Sequence, residues 1–229
     1  MKKTSLKETL RNWKLGSYFR ELSIVIAGIC ITFAGTGFIS NVSQEKQIKE
    51  SMQMIKMELE ENLNSINQAE ALYLEEISFF RMLIQKQDSL QTIDASILED
   101  NVNAPFKIED FEYSEDTLEV LKNSALMQQM ADKQFILKLL QAYKGCRRIS
   151  ENHKFYYENK QKHMARYMSQ PVSDPQRIYK DIYEMWEARL QDYNMGMLIQ
   201  SVPNTFDENP FIAPQKAIKE VIELIKEKY

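Results

Sequence analysis

The sequence predicts an all-α protein: an N-terminal transmembrane helix that continues into a long stalk helix, followed by an antiparallel helical bundle outside the membrane. Three observations predict it. Gly and Pro number only six each in 229 residues, which favours long helices over a turn-rich β fold. No charged residue occurs between Glu21 and Glu45. Beyond that gap, apolar residues recur at helical spacing along most of the chain. With 44% apolar and 27% charged residues, the remainder has the composition of a globular domain rather than a disordered one.

Residues 1–21 form a basic tail, with six Lys/Arg against Glu8 and Glu21, a net of +4; since the whole chain carries −4, the rest carries −8. The segment Leu22–Ile39 follows. Its 18 residues span about 27 Å as a helix, near the thickness of a bilayer core. Nine of them are Leu, Ile, Val or Phe, which favour insertion. A cleaved signal peptide has a shorter charged region and a small-residue exit, whereas here the exit reads Gly37-Phe38-Ile39-Ser40. A lipoprotein signal needs a small residue before its cysteine, and Ile29 precedes Cys30. A retained span is therefore expected over 22–39. The positive flank holds residues 1–21 in the cytoplasm, so residues 40–229 form an exported helical domain. Trp13, Tyr18 and Phe19 stand where an interfacial aromatic belt belongs, and Lys3, Lys7 and Lys14 can lie over anionic headgroups. Gly28, Thr32 and Thr36 form a small-residue stripe of the kind that lets two spanning helices approach.

No Gly or Pro occurs between Gly37 and Pro105. Met52, Leu59, Ile66, Tyr73 and Phe80 fall seven apart, Ile48, Ile55 and Ala69 fill the offset positions, and Leu63, Ile77 and Ile84 widen the stripe. This predicts an amphipathic helix of coiled-coil character from the membrane to about Ser89. Asn62 and Glu76 interrupt the second seam, which favours a long bundle helix over a free two-stranded coil. Residues 91–115 read as irregular, with a turn at Asn101–Pro105 and an apolar–acidic stretch at Phe106–Tyr113. Helical spacing returns at Asp116–Lys122, breaks near 123–129, and resumes in a second long helix over about Asp132–Met168, with Asp132 as its cap. Phe135, Leu139, Ala142, Cys146 and Ile149 line one of its faces. Pro171 and Pro175 end it. Asp174 then caps a third helix over about Pro175–Met197, whose apolar face is Ile178, Ile182, Met185, Trp186 and Leu190. A loop with three prolines covers 201–214, and a final helix opens at Pro214 or Gln215 with Ile218, Val221, Ile222 and Ile225 facing inward.

The acidic bulk argues against nucleic acid as a partner. Cys30 lies inside the apolar segment and Cys146 far outside it, so no disulfide joins them, and Cys146 reads as a small buried apolar residue. His153 and His163 are ten apart and lack the spacing of a zinc motif. Glu58-Leu-Glu-Glu61 lacks the alternating loop oxygens of a calcium site and reads as a solvated helix face. No nucleophile elbow, phosphate loop, dinucleotide fingerprint or CxxC pair occurs. No catalytic, cofactor-binding or metal-ligating residue is therefore singled out, and no cofactor is expected. Tyr143, Tyr156, Tyr157, Tyr167, Tyr179, Tyr183 and Trp186 enrich the second half in aromatics. They suit core packing or, alternatively, a ligand groove between helices.

Three stretches carry a resemblance. Glu21-Leu-Ser-Ile-Val-Ile-Ala-Gly-Ile opens the first; Leu118-Glu-Val-Leu-Lys-Asn-Ser124 is the second, with Ala125 where glycine is usual; Asp132-Lys-Gln-Phe-Ile-Leu-Lys-Leu-Leu-Gln-Ala-Tyr143 is the third. They resemble an uncharacterised family of short single-pass bacterial membrane proteins with a helical exported domain, over most of residues 15–145. The Trp usual soon after the span is replaced by Asn41-Val-Ser. The resemblance implies a bacterial inner membrane, a cytoplasmic N-terminus and a periplasmic domain, and supplies no mechanism. The expected function is a non-enzymatic helical scaffold or protein-interaction module at the periplasmic face. Its expected partners are the lipid bilayer and a protein partner, or a second copy, held through the stalk helix. The alternative is a small-molecule-sensing helical bundle that signals through a partner.

Overall fold

The computed structural model describes residues 23–26, 41–109, 111–170 and 179–229. The expected span over 22–39 thus lies outside the described residues apart from 23–26, and among the described residues no helix is long and apolar enough to cross a membrane.

Helix α1, Asn41–Gln85, is 45 residues long, or about 68 Å. The seven-residue stripe explains it: Met52, Ile55, Leu59, Ile66, Tyr73, Ile77, Phe80 and Leu83 are all buried. The helix stops before Ser89 because Gln87-Asp88-Ser89 favours turns, and a short 3-10 turn, Leu90–Thr92, follows. Helix α2, Ala95–Asp100, starts where the Asp94 carboxylate accepts the Ser96 amide hydrogen. After a second 3-10 turn at Ala104–Phe106, extended chain leads to α3, Asp116–Asn123. Part of the expected break is helical, as the four-residue α4, Leu126–Gln129.

Helix α5, Lys133–Met168, is 36 residues long and is capped by Asp132, which accepts from the Phe135 amide at 2.9 Å. The predicted face of Phe135, Leu139, Ala142, Cys146 and Ile149 is buried throughout. The expected third helix is two helices: α6, Ile182–Gln191, and α7, Tyr193–Ser201. Asp192 breaks them apart, since its carboxylate accepts from the Asn194 and Met195 amides and starts α7 afresh. The Asp174–Pro175 cap lies outside the described residues. Helix α8, Ile212–Lys228, begins two residues before the predicted proline and buries Ile218, Val221, Ile222 and Ile225 as predicted.

All described elements are helical, with no strand among the described residues. The body is a bundle of α1, α5 and α8, with α6 and α7 packed at the end far from the start of α1. The expected antiparallel arrangement holds for α8 but not for the pair α1 and α5. Lys228 meets Asp132, Lys138 meets Glu220, and Pro214 sits against Gly145, so α8 runs against α5. It runs against α1 too, with Gln215 on Glu70 near its start and Lys226 facing Glu60 near its end. In contrast, Tyr143 touches Glu58, while Tyr156 and Lys160 touch Glu76, so α1 and α5 are parallel. A parallel pair requires a connection that returns the full length of the bundle, and residues 86–132 make that return. At Gly145 the close approach of α8 is visible: an added Cβ there meets Pro214 Cβ at 3.1 Å.

Candidate functional site

The returning connection is short of regular structure, and its backbone polar groups must find partners elsewhere. Side chains on α1, α5 and α6 supply them at three levels.

Nearest the start of α1, Glu58 is buried. Its Oε2 accepts from Ser114 Oγ at 2.9 Å and from the Thr117 amide at 2.8 Å, and its Oε1 accepts from Tyr143 Oη at 2.5 Å. The carboxylate thus caps α3 from another helix, where the helix dipole favours negative charge. Asn62, one turn on, donates to the Ser114 carbonyl at 2.7 Å and accepts from the Ser114 amide at 2.8 Å. Burial, and then the Glu58 charge, push the Tyr143 hydroxyl pKa well above its ordinary value. The reading of residues 58–61 as a solvated face is therefore corrected for Glu58. Helical spacing held the signal, because Glu58 stands three residues after Ile55 and four before Asn62 on the seam.

Higher up, Lys160 is 1% exposed. Its ammonium donates to Glu76, to the Ala104 carbonyl at 2.8 Å and to the Lys107 carbonyl at 2.5 Å. Three N–H groups thus meet three acceptors. Glu76 also accepts from Tyr156 Oη at 2.7 Å. Burial lowers the Lys160 pKa from the ordinary lysine value, against the opposing pull of Glu76. Burial, and then Glu76, raise that of Tyr156.

At the far end, α6 holds three more carbonyls of the connection. Trp186 Nε1 donates to Leu98 at 3.1 Å, Tyr183 Oη to Ile93 at 3.0 Å, and Arg189 to Val102 at 2.6 Å, with the guanidinium also lying over the Trp186 and Phe106 rings.

These ties consume the tyrosines that a ligand groove would need. Tyr73, Tyr156, Tyr157, Phe206 and Phe211 enclose only about 10 Å³, at most the room of a single water. Tyr73 packs edge-on to Tyr156 at 5.3 Å, and burial pushes its pKa up to about 12. Cys146 is fully buried, and burial pushes its thiol up to about 12. A protonated thiol is a poor nucleophile. His153 sits against the Phe111 and Tyr157 rings at 5.7 and 4.6 Å. His163 lies elsewhere on α5, its pKa lowered by burial and by Arg166 and Lys162. Among the described residues no three His, Cys, Asp or Glu are grouped so as to hold a metal ion.

Larger clefts remain among the described residues. One of about 260 Å³ lies beside Glu76 and includes Glu75, Asp100, Lys107 and Glu109 in its lining. Another, of about 380 Å³, lies by Gln87, Asp88 and Glu187. A further one, of about 520 Å³, lies between α3 and α5 and is rimmed by cations. Set against protein-family models, curated proteins and solved structures, the chain matches none. The functional reading therefore rests on the chain's own geometry.

Proposed function

We propose that this chain is a single-pass membrane protein whose helical body serves as a non-enzymatic scaffold, or protein-interaction module, on the periplasmic face of a bacterial inner membrane. The observation that carries the reading is the length of α1 beyond the body. Its fully buried seam begins at Ser51 and Met52, and Ile48 packs against the core one turn earlier. The seven residues before that contact, 41–47, add about 10 Å of helix ahead of it. They begin two residues after the apolar segment 22–39, inside the uncharged stretch that ends at Glu45. Of the described apolar residues of that segment, Ile24 and Val25 are exposed and Ile26 is half-buried, in keeping with side chains meant for lipid. A projecting helix between a membrane segment and a body held by its own polar ties is the form of a stalk that presents a surface.

The test combines topology and contact. Alkaline phosphatase fused after Tyr229 should be active in intact bacteria, and a green fluorescent protein at the same point dark. A photo-crosslinking residue at the exposed Lys46 or Lys49 should trap a defined protein or a second copy, in greater yield than one at the exposed Lys162 on α5. A cytoplasmic reporter, or equal yields at the three positions, overturns the reading.

A further inference from the structure

We propose that the cleft between α3 and α5 is a binding site for a small anion of two or more negative charges, a phosphate ester or a polycarboxylate. Within a region whose net charge is −8, this cleft gathers four cations, Lys122, Lys144, Arg147 and Arg148, against two acids, Glu115 and Glu151. The four are not equivalent. Lys122 is paired with Glu119 at 2.7 Å, and Arg147 makes two bonds to Glu115 at 2.9 and 2.8 Å. Lys144 and Arg148 form no ion pair or hydrogen bond among the described residues. Being four apart on α5, they lie one turn apart on one helix face.

Glu115 fixes the neighbouring guanidinium, and its tie to the connection is reinforced by Ser114 and Thr117 on Glu58. The cleft wall is therefore held in place before any ligand arrives, which lowers the ordering entropy of binding. Its volume of about 520 Å³ falls in the ordinary range for small-molecule sites. The free ammonium and the free guanidinium offer a point charge and a planar fork. Together they suit a group with several anionic oxygens. This inference is independent of the membrane topology.

The test uses the full chain in a nonionic detergent at low ionic strength, because exposed charges are screened by salt. Inorganic phosphate and citrate are titrated calorimetrically, and micelles with and without an anionic phospholipid form a third arm. The expected result is saturable one-to-one binding of phosphate or citrate, weakened about tenfold by Lys144→Gln and again by Arg148→Gln. Lys162→Gln, an exposed lysine outside the cleft, should leave it unchanged. Binding confined to the phospholipid micelles but lost in Lys144→Gln identifies the anion as a lipid headgroup and supports the site. Absence of saturable binding in all three arms overturns the proposal. So does binding undiminished in Lys144→Gln and Arg148→Gln, or weakened equally by Lys162→Gln.

Discussion

Replacing Lys160 by Met keeps the length and volume of the side chain and removes its charge and its three donors. The Lys160 side chain is fully inaccessible and that of Glu76 is 11% exposed, so the loss strands a carboxylate with only Tyr156 Oη for company. It also orphans the carbonyls of Ala104 and Lys107. Removing one partner of a buried pair costs about 3–5 kcal/mol, which for a domain of this size shifts the melting temperature by on the order of 10 °C. The pair itself is not the source of that loss, since two buried ions brought together gain little beyond their desolvation. Lys160→Met with Glu76→Met should therefore lose less than the two single variants summed. Chemical denaturation of the full chain in detergent at neutral pH, followed by circular dichroism, measures all three. A loss below about 1 kcal/mol for Lys160→Met, the scale of an exposed ion pair, or strict additivity, refutes the account of a dehydrated ammonium that pins the connection.

Alkali should unfold the body through its buried acids. Tyr73 and Cys146 are both raised to about 12 in the folded chain, from 10 and 9, and Tyr143 and Tyr156 are raised as well. The unfolded chain therefore releases these protons first, so their contribution is intact below pH 9 and is lost as pH climbs toward 12. Cys146 alone removes about 4 kcal/mol across that window and Tyr73 about 3. Tyrosinate absorbance and helical circular dichroism should change together; tyrosines that ionise at ordinary pH while the helices persist contradict this. In α7, Gly196→Ala should destabilise in a melting experiment by about 1–3 kcal/mol although alanine is the better helix former. The added Cβ would lie 2.7 Å from the Leu190 carbonyl oxygen, and a neutral or stabilising outcome means that the turn between α6 and α7 yields easily.

The helices were legible because periodicity is local. The stripes on α1, α5 and α8 name residues that the core buries, and Asp132 is the cap it reads as. What local pattern cannot convey is partnership at long range. Glu58 finds Ser114, Thr117 and Tyr143 at separations of 56, 59 and 85 residues, so an acidic run around it looks solvated. The parallel course of α5 is hidden for the same reason, since periodicity gives a helix a face but no direction. The break at Asp192 is masked because apolar spacing continues across it while a side chain quietly competes for the backbone. The aromatic wealth of the second half was visible, but whether it encloses a space depends on Phe206 and Phe211 arriving from a distant loop to close it.

The two polar residues that spoil the seam of α1 turn out to carry its specificity. An uninterrupted apolar stripe allows one helix to slide past another by a turn or a heptad with little change in burial. Asn62 and Glu76 stand two heptads apart, and each meets one set of partners, Ser114 for the first and Lys160 with Tyr156 for the second. A slip of one turn would strand both at once, together with Glu58. The interruptions thus select a single register for α1 against α5 and for the connection between them. They also explain why a chain with so regular a stripe forms a closed body instead of offering the whole stripe to a second helix.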